Sequence, residues 1–503
     1  MLKKFLKYKL LVLFIILLLL GITQLITAYL FSKDTEKILN NQLEKLTNSS
    51  LIEVVDYKYH RGLFVSSSDV ELKINTKLLQ LLNKISMNHQ DNESYFKLKY
   101  HNTIKSGILT GILIGHFVPT LSIVETNIEL ESNLNKTLNK FFDNKQPISV
   151  TNIIKLNHSG EFIITSPAFN YEEELSKVNL SWGGLLFNIK YDRNFNDFIK
   201  KLSIPYIKFN IPNKFNLNLE SLNYISNMLL SSNNISVGNN KLNLDNLYLH
   251  TESGILSDIN LSNILTSLTG IRVNDFIEDF NLSNSYNLNI SQLDYKTNST
   301  DVNNYFSSHA LIKIESILFN GYLFGPLNID FEISHINAKG FSNLINLFNN
   351  TNDHNQNHEQ FIELLKNKFV PILIESPIIK LNNFNLVTNK GNVDIKGMIT
   401  TKNFESIDIT SQNLFFKKIY FQTSFSIPKE IFNYLLIMQI KYFLNFSNTE
   451  VDDQSYQALS EVINILLDNQ IKKWEKNKYI KENNGIISSS IILDENSLTV
   501  SDK

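Results

Sequence analysis

The N-terminus constrains this chain more than any other part of it. Lys3, Lys4, Lys7 and Lys9 precede an apolar run, LLVLFIILLLLGITQLITAYLF, from Leu10 to Phe31, interrupted only by Thr23, Gln24 and Thr27. A helix rises about 1.5 Å per residue, so about 20 such residues cross a hydrocarbon core of roughly 30 Å. The run is too long for a signal-peptide core, and Ala28-Tyr29-Leu30 makes a poor cleavage site. Four lysines stand before the helix, and the mixed set Lys33, Asp34, Glu36 and Lys37 follows it. Lysines stay on the cytoplasmic side, so the bulk of the chain is expected outside the cytoplasm. Ile431 to Phe446 is short and cut by Lys441, which reads as a core or surface helix rather than a second span.

The rest of the chain is long enough for two or three ordinary domains or one elongated one. Net charge is −2, which gives no electrostatic reason to expect a nucleic-acid partner. Only Arg61, Arg193 and Arg272 are arginine; the remaining basic residues are lysines. With the high Asn and Ile content, this reads as the codon bias of an AT-rich genome. Cysteine is absent, which excludes disulfides and thiolate chemistry. An exported region of this kind must hold itself together by its core.

Four regions are expected: a cytoplasmic tip and anchor over 1–32, a helical stalk over 33–50, a β-rich region over 51–345, and a continuing sheet with helices over 346–503. In the stalk, Ile38, Leu39, Leu43 and Leu46 recur at helical spacing. From Leu51 the period changes to two. The stretch to Ile74 reads as two strands joined through Arg61-Gly62, with Val70, Leu72 and Ile74 alternating. Leu78 to Met87 suggests a short helix or loop. Alternating segments follow from Tyr95 to Ser406–Thr410 with little helix between them. The phrases starting at Asn213, Asn240 and Asn382 resemble one another without a constant spacing. The expected fold class is therefore β-rich α+β, with a transmembrane helix and a long curved antiparallel sheet, apolar inside, covered by a few helices. The helices expected lie in Asn343–Phe369, Glu430–Leu444 and Tyr456–Trp474. In the last, Leu459, Val462, Ile463, Leu466 and Ile471 form a stripe. Ile486 to Leu498 reads as a closing hairpin.

The phrase DYKYHRGLFVSSSDVEL, Asp56 to Leu72, resembles the Tyr-x-x-Tyr-His-Arg-Gly-hydrophobic-Phe signature of the YdgA-like family, also called the DUF945 family. His101–Pro119, Ser181–Leu185 with Asp192-Arg193, Pro377–Gly397 and Gly485–Leu498 resemble later family regions in the same order. The Gly-Pro pair that the family carries after the histidine is missing. The motif residues are Tyr59, His60, Arg61, Gly62 and Phe64, with Trp182, Gly183 and Gly184. The resemblance implies a bacterial inner-membrane protein with one span and a long periplasmic region, and it assigns no catalytic residue.

Each candidate site has a bland and a sharp reading. Arg61 could pair with a phosphate through its fork of donors, but a turn with Gly62 in an unusual backbone angle is favoured. Trp182 beside Gly183-Gly184 reads as a packing anchor rather than a sugar platform. His101, His116 and His158 are scattered. His354 and His358 would share a helix face beside Asp353 and Glu359, within a run that reads as a solvated loop. Glu172, Glu173 and Glu174 look solvated. No His-Glu-x-x-His, Gly-x-Ser-x-Gly or phosphate-loop motif occurs. No catalytic, cofactor or metal site is therefore assigned. The expected partners are the lipid bilayer and lipids or envelope proteins. The expected role is non-enzymatic, in lipid handling or envelope scaffolding. The alternative is an enzyme acting on envelope lipids or polymers, and a third reading is strand addition at a sheet edge.

Overall fold

The computed structural model describes residues 2–47, 52–75, 95–113, 119–129, 141–143, 145–252, 286–350, 358–432, 453–495 and 497–501. The expectations for 78–87, His116, Asp353, His354 and most of 430–446 lie outside them. Two compact units divide the chain. The first holds the described residues up to Leu229 with those of Leu249–Tyr286 and Phe348–Asp353, the second Leu230–Tyr248, Asn287–Leu347 and the described residues beyond 357.

The first unit opens with one helix, α1 (Leu2–Thr47). It is long and apolar enough to cross a membrane. Strands β1 (Ile52–His60), β2 (Val65–Asn75) and β3 (Tyr95–Ser106) follow, then a single helical turn, α2 (Thr110–Leu113), and β4 (Thr120–Glu129). Next come β5 (Ser149–Lys155), β6 (Gly160–Ser166), β7 (Phe169–Glu172), β8 (Asn179–Trp182), β9 (Leu185–Tyr191), β10 (Asp197–Ile211) and β11 (Phe215–Leu230). Every pairing is antiparallel. The ladder runs β1–β2–β3–β4–β5–β6–β9–β10–β11, and the short pair β7–β8 also joins β10.

Burial in this unit follows the pleat where a helix covers it. Along β2, Ser66, Ser68, Val70 and Leu72 are buried in strict alternation. Successive side chains of a strand point to opposite faces, so these four share one face. α1 lies on that face. Ile38 and Leu39 of α1 pack with Ile104, Leu121, Val124 and Ile154, and Leu43 packs with Val70 and Leu72.

The second unit begins in β12 (Ser236–Thr251) and continues through β13 (Tyr286–Val302), β14 (Tyr305–Phe319) and β15 (Tyr322–Asn337). Asn240 to Thr297 and Asn243 to Asp294 are bonded side chain to side chain, one strand stepping back as the other steps forward, as antiparallel neighbours must. Then come α3 (Ala338–Asn350), α4 (His358–Ile374), β16 (Ile378–Thr388), β17 (Gly391–Thr401), a 3-10 turn (Ser406–Thr410) and α5 (Gln412–Lys417). The unit ends with β18 (Ile419–Pro428), α6 (Asp453–Lys476), β19 (Lys481–Asn483), β20 (Ile486–Asp494) and β21 (Ser497–Ser501). Asn337 caps α3, its Oδ1 accepting the Gly340 amide at 2.7 Å. The core collects Ile235, Val237, Phe306, Ile336, Ala338, Leu344 and Ile372. A smaller cluster joins Ile471 of α6 to Ile480 and Ile487, while Val462 and Leu466 of the expected stripe are exposed.

Asparagine does structural work at the turns. Asn303-Asn304, Asn320-Gly321 and Asn484-Gly485 each join two paired strands with both residues at positive φ. That is the primed turn whose twist matches flanking strands, and Asn and Gly enter it at least cost.

Two expectations are corrected. The sheet is antiparallel and large, but it is neither curved into a groove nor closed. In each unit the strands form an open ladder, and no pairing among the described residues joins its ends. Nor do β11 and β16 keep a sealed apolar face; half-buried positions fall on both sides. Alternation decides which face a side chain takes, whereas curvature comes from bulges and twist, which the residue pattern does not carry. Second, Ser406–Thr410 is not a strand but a 3-10 turn. The side chain of Asp408 accepts the Glu405 amide at 2.7 Å and closes its first turn.

Candidate functional site

The most developed polar arrangement in the first unit is the seam between α1 and the sheet. Gln24, Ala28, Ser32, Thr35, Leu39 and Gln42 are three or four apart, so they lie along one helix face. Each small one among them is buried, which lets the helix axis approach the strands closely. Burying hydroxyls is costly unless they are bonded, and here they are. Ser32 Oγ lies 2.9 Å from Ser66 Oγ, Thr35 Oγ1 donates to Ser122 Oγ at 2.8 Å, and Tyr59 Oη donates to the Ser32 carbonyl at 3.2 Å. Higher up, Gln24 donates to the Ser106 carbonyl at 3.4 Å and accepts from the Leu109 amide at 3.0 Å. At the far end Gln42 donates to Tyr191 Oη at 3.5 Å, and Tyr191 donates to Asn152 Oδ1 at 2.8 Å.

The first family motif sits against this seam. Tyr59 is half-buried under α1, and His60 ends β1 facing solvent. Arg61 is ion-paired with Glu36 of α1, and this bond raises its pKa further. One nitrogen of its fork is thus engaged by a carboxylate of the same chain. Gly62 does not take a positive φ, contrary to the expectation. It is glycine for room: a Cβ there would stand 1.9 Å from the Val65 carbonyl oxygen. Its amide donates to Ser66 Oγ at 3.2 Å, so the turn holds the serine that meets Ser32. Phe64 is exposed.

Trp182, Gly183 and Gly184 lie apart from this, at a break shared by three strands. β10 pairs with β8 up to Trp182 opposite Ile207, then with β9 from Leu186 opposite Ser203. The two glycines bridge the gap. A Cβ on Gly183 would meet the Tyr206 ring and amide at 2.8 Å, and Gly184 has φ +89. Trp182 is half-buried and donates its indole N–H to Ser166 Oγ at 3.1 Å. The structure gives it a packing and bonding role there.

The histidines do not converge. His101 Nδ1 lies 2.7 Å from Asp69 on one open sheet face; His158 is a turn residue at positive φ. In the second unit His309 Nε2 lies 2.8 Å from Asp330, which also accepts from Asn382 at 2.9 Å. Burial pushes the Asp330 carboxyl up, but the bonds from Asn382 and His309 outweigh it and hold its pKa below the ordinary value. Glu172 pairs with Lys177 at 3.4 Å in an exposed turn. Among the described residues no three His, Asp or Glu side chains are grouped to hold a metal. In the second unit an open depression of 550 Å³ is lined by His335, Ser376, Ile378, Thr400, Thr401 and Lys402.

Burial beneath α1 shows in three phenols. It pushes Tyr57 and Tyr191 up, and Tyr100 up to about 12, from the ordinary 10.0. The folded form therefore holds these protons more tightly than the unfolded chain. Their contribution to stability is complete below about pH 10 and is lost as pH rises through 10 towards 12. Unfolding followed at Trp182, with Trp474 replaced by Phe, should show the first unit weakening over that window. Tyr57→Phe with Tyr100→Phe should blunt the loss; an unchanged alkaline profile would count against buried phenols.

Sequence reasoning missed the seam because Gln24 and Thr27 looked like interruptions of a span. The signal was the three-to-four spacing of Gln24 with Ala28, Ser32 and Thr35. No curated protein and no solved structure matches the chain. A family model described as a bacterial protein of unknown function matches residues 8–503, from within α1 through both units. On that match, which agrees with the resemblance at Tyr59–Phe64, the chain belongs to the DUF945 family.

Proposed function

We propose that this chain is a single-pass protein of the bacterial inner membrane whose folded units lie in the periplasm and act as a non-enzymatic scaffold of the cell envelope. The observation that carries this is the continuity of α1. Its outward side chains from Phe14 to Leu30 are bare and, apart from Thr23, apolar, while Ser32, Thr35, Ile38, Leu39 and Leu43 are buried against the sheet. A helix that is both anchor and core element fixes the folded unit at the membrane rather than tethering it loosely. The four lysines before the span and the mixed charges after it favour the periplasmic side.

Scaffolding is the form of the role we retain. Lipid handling rested on a curved sheet with an apolar inner face, and the open ladders supply no such groove. The His101–Asp69 and His309–Asp330 pairs are part-exposed to solvent, and hydrogen bonds hold the Asp330 carboxyl below its ordinary value rather than poising it for acid–base work.

Membrane fractionation and protease accessibility test the placement. The full chain should resist alkaline carbonate extraction. A C-terminal epitope should be digested by protease added to spheroplasts yet survive in whole cells. Release by carbonate would contradict the anchor, and protection of the epitope in spheroplasts would contradict the orientation.

A further inference from the structure

The folded unit does not stand clear of the apolar helix; it grips it from within. The chain has no charged residue between Lys9 and Lys33. Yet the segment after β3 binds α1 at Gln24, eight residues before the first buried serine. Ser106 and Leu109 take both ends of the Gln24 amide, and the Ile108 amide reaches Thr27 Oγ1 at 3.5 Å. A Cβ on Gly107, which has φ +127, would fall 2.0 Å from Gln24 Nε2, so the backbone lies directly on that side chain. The Ser106 amide in turn donates to the Phe64 carbonyl at 3.1 Å. The Arg61–Val65 turn and the Ser106–Leu113 segment thus form one rim at the level of Gln24 to Ala28.

That rim is apolar and outward-facing. Leu63, Phe64, Val65 and Ile112 are 46%, 45%, 54% and 46% exposed. Residues 106–113, SGILTGIL, carry no charge. Beside them the outer face of α1 shows Ile26, Tyr29 and Leu30 to the surroundings. The charges begin at its edge, where Arg61 opens the turn and pairs with Glu36, and at Lys33.

Length makes the same point. From Leu10 to Thr23, below the rim, a helix rises about 20 Å, and the hydrocarbon core is about 30 Å thick. A span that stopped at the rim would leave roughly 10 Å unmet. The geometry points to a membrane-inserted rim: Leu63, Phe64, Val65 and Ile112 enter the outer lipid interface around α1. The partner is the lipid surface, and the inference rests on the reading of α1 as a membrane span. Insertion makes up the missing length. It also explains Gln24, whose amide would be costly in lipid but is satisfied by rim backbone. Amphipathic elements of this kind sink about 5–10 Å into the headgroup and acyl boundary, which matches the shortfall.

The chain has no cysteine, so single labelling sites are clean. Ile16→Cys, Phe64→Cys, Ile112→Cys and Leu175→Cys, each in the full chain, would carry an environment-sensitive fluorophore in phosphatidylethanolamine–phosphatidylglycerol vesicles. All four positions are exposed, Leu175 at 93% in a charged turn, so the substitutions spare the core. Quenching is then compared between lipids with a nitroxide near the headgroup and lipids with one deep in the chain. The inference expects labels at 64 and 112 to shift to shorter wavelength and to be quenched most by the shallow nitroxide. The label at 16 should be quenched most by the deep one, and that at 175 by neither. Labels at 64 and 112 that behave like 175, with 16 still deep, would overturn the rim and leave the anchor standing. Four water-exposed labels would overturn the membrane span and the rim with it.

Discussion

Ile104→Ala is expected to destabilise the first unit by about 2–5 kcal/mol, the usual cost of emptying a fully buried aliphatic site. Ile104 is completely buried in β3, between α1 and the sheet, in contact with the cluster of Ile38, Leu39, Leu121, Val124 and Ile154. Truncation leaves a cavity under a helix whose axis is held by side-chain bonds on either side, so the site cannot collapse freely. The two tryptophans fall one in each unit, at Trp182 and Trp474. Urea unfolding of the detergent-solubilised chain, read at Trp182 in a Trp474→Phe background, reports the first unit alone. Ile225→Ala in β11 is the control: its side chain is exposed, and its loss should stay within about 0.5 kcal/mol. Equal losses at the two sites would mean that the core is not beneath α1.

Gly62→Ala is expected to cost about 1–3 kcal/mol, the range for forcing extra atoms into a filled site. Backbone alone stands in the way: the new Cβ would meet the Val65 carbonyl oxygen at 1.9 Å and its carbon at 3.0 Å. No side chain can swing aside, so the turn must open. Opening it withdraws Ser66 from Ser32 and loosens Tyr59 from the helix, so the loss should appear in the same Trp182 transition. Gly21→Ala in α1 provides the contrast, because nothing lies within 4 Å of its Cβ; no loss is expected there. A Gly62 variant as stable as wild type would remove the steric reason for the motif glycine.

Parts of this fold were legible in the residues. The apolar run gave the helix, and the alternation of Val70 and Leu72 gave a strand whose buried face is the one expected. The helix expected over Tyr456–Trp474 and the closing hairpin were also readable from their periods, although Val462 and Leu466 of the expected stripe are exposed. The long strands were harder. In β11 and β13, Asn and Ser occupy many of the ladder positions and break the apolar rhythm. The asparagines that looked like codon bias set several of the turns. Ile407 and Ile409 mimicked a strand at the 3-10 turn, where the local bond from Asp408 prevailed over the pattern. Curvature was inferred from repeated phrases, and no residue pattern carries it. The motif at Tyr59–Phe64 was visible, but its meaning depends on Ser32, Glu36 and Gln24, far away in sequence and disguised within or beside the apolar run of α1.

The central claim is that α1 is built into the sheet along Ser32, Thr35 and Leu39. The most direct measurement is a disulfide between Ser32→Cys and Ser66→Cys, formed by mild oxidation of the full chain in native membranes. The two serine oxygens are 2.9 Å apart, and no native cysteine competes. Rapid, near-complete formation of the intramolecular bond is expected, with none between Tyr29→Cys, on the exposed face of the helix, and Ser66→Cys. A Ser32–Ser66 pair that closes no faster than the Tyr29–Ser66 pair would contradict the seam.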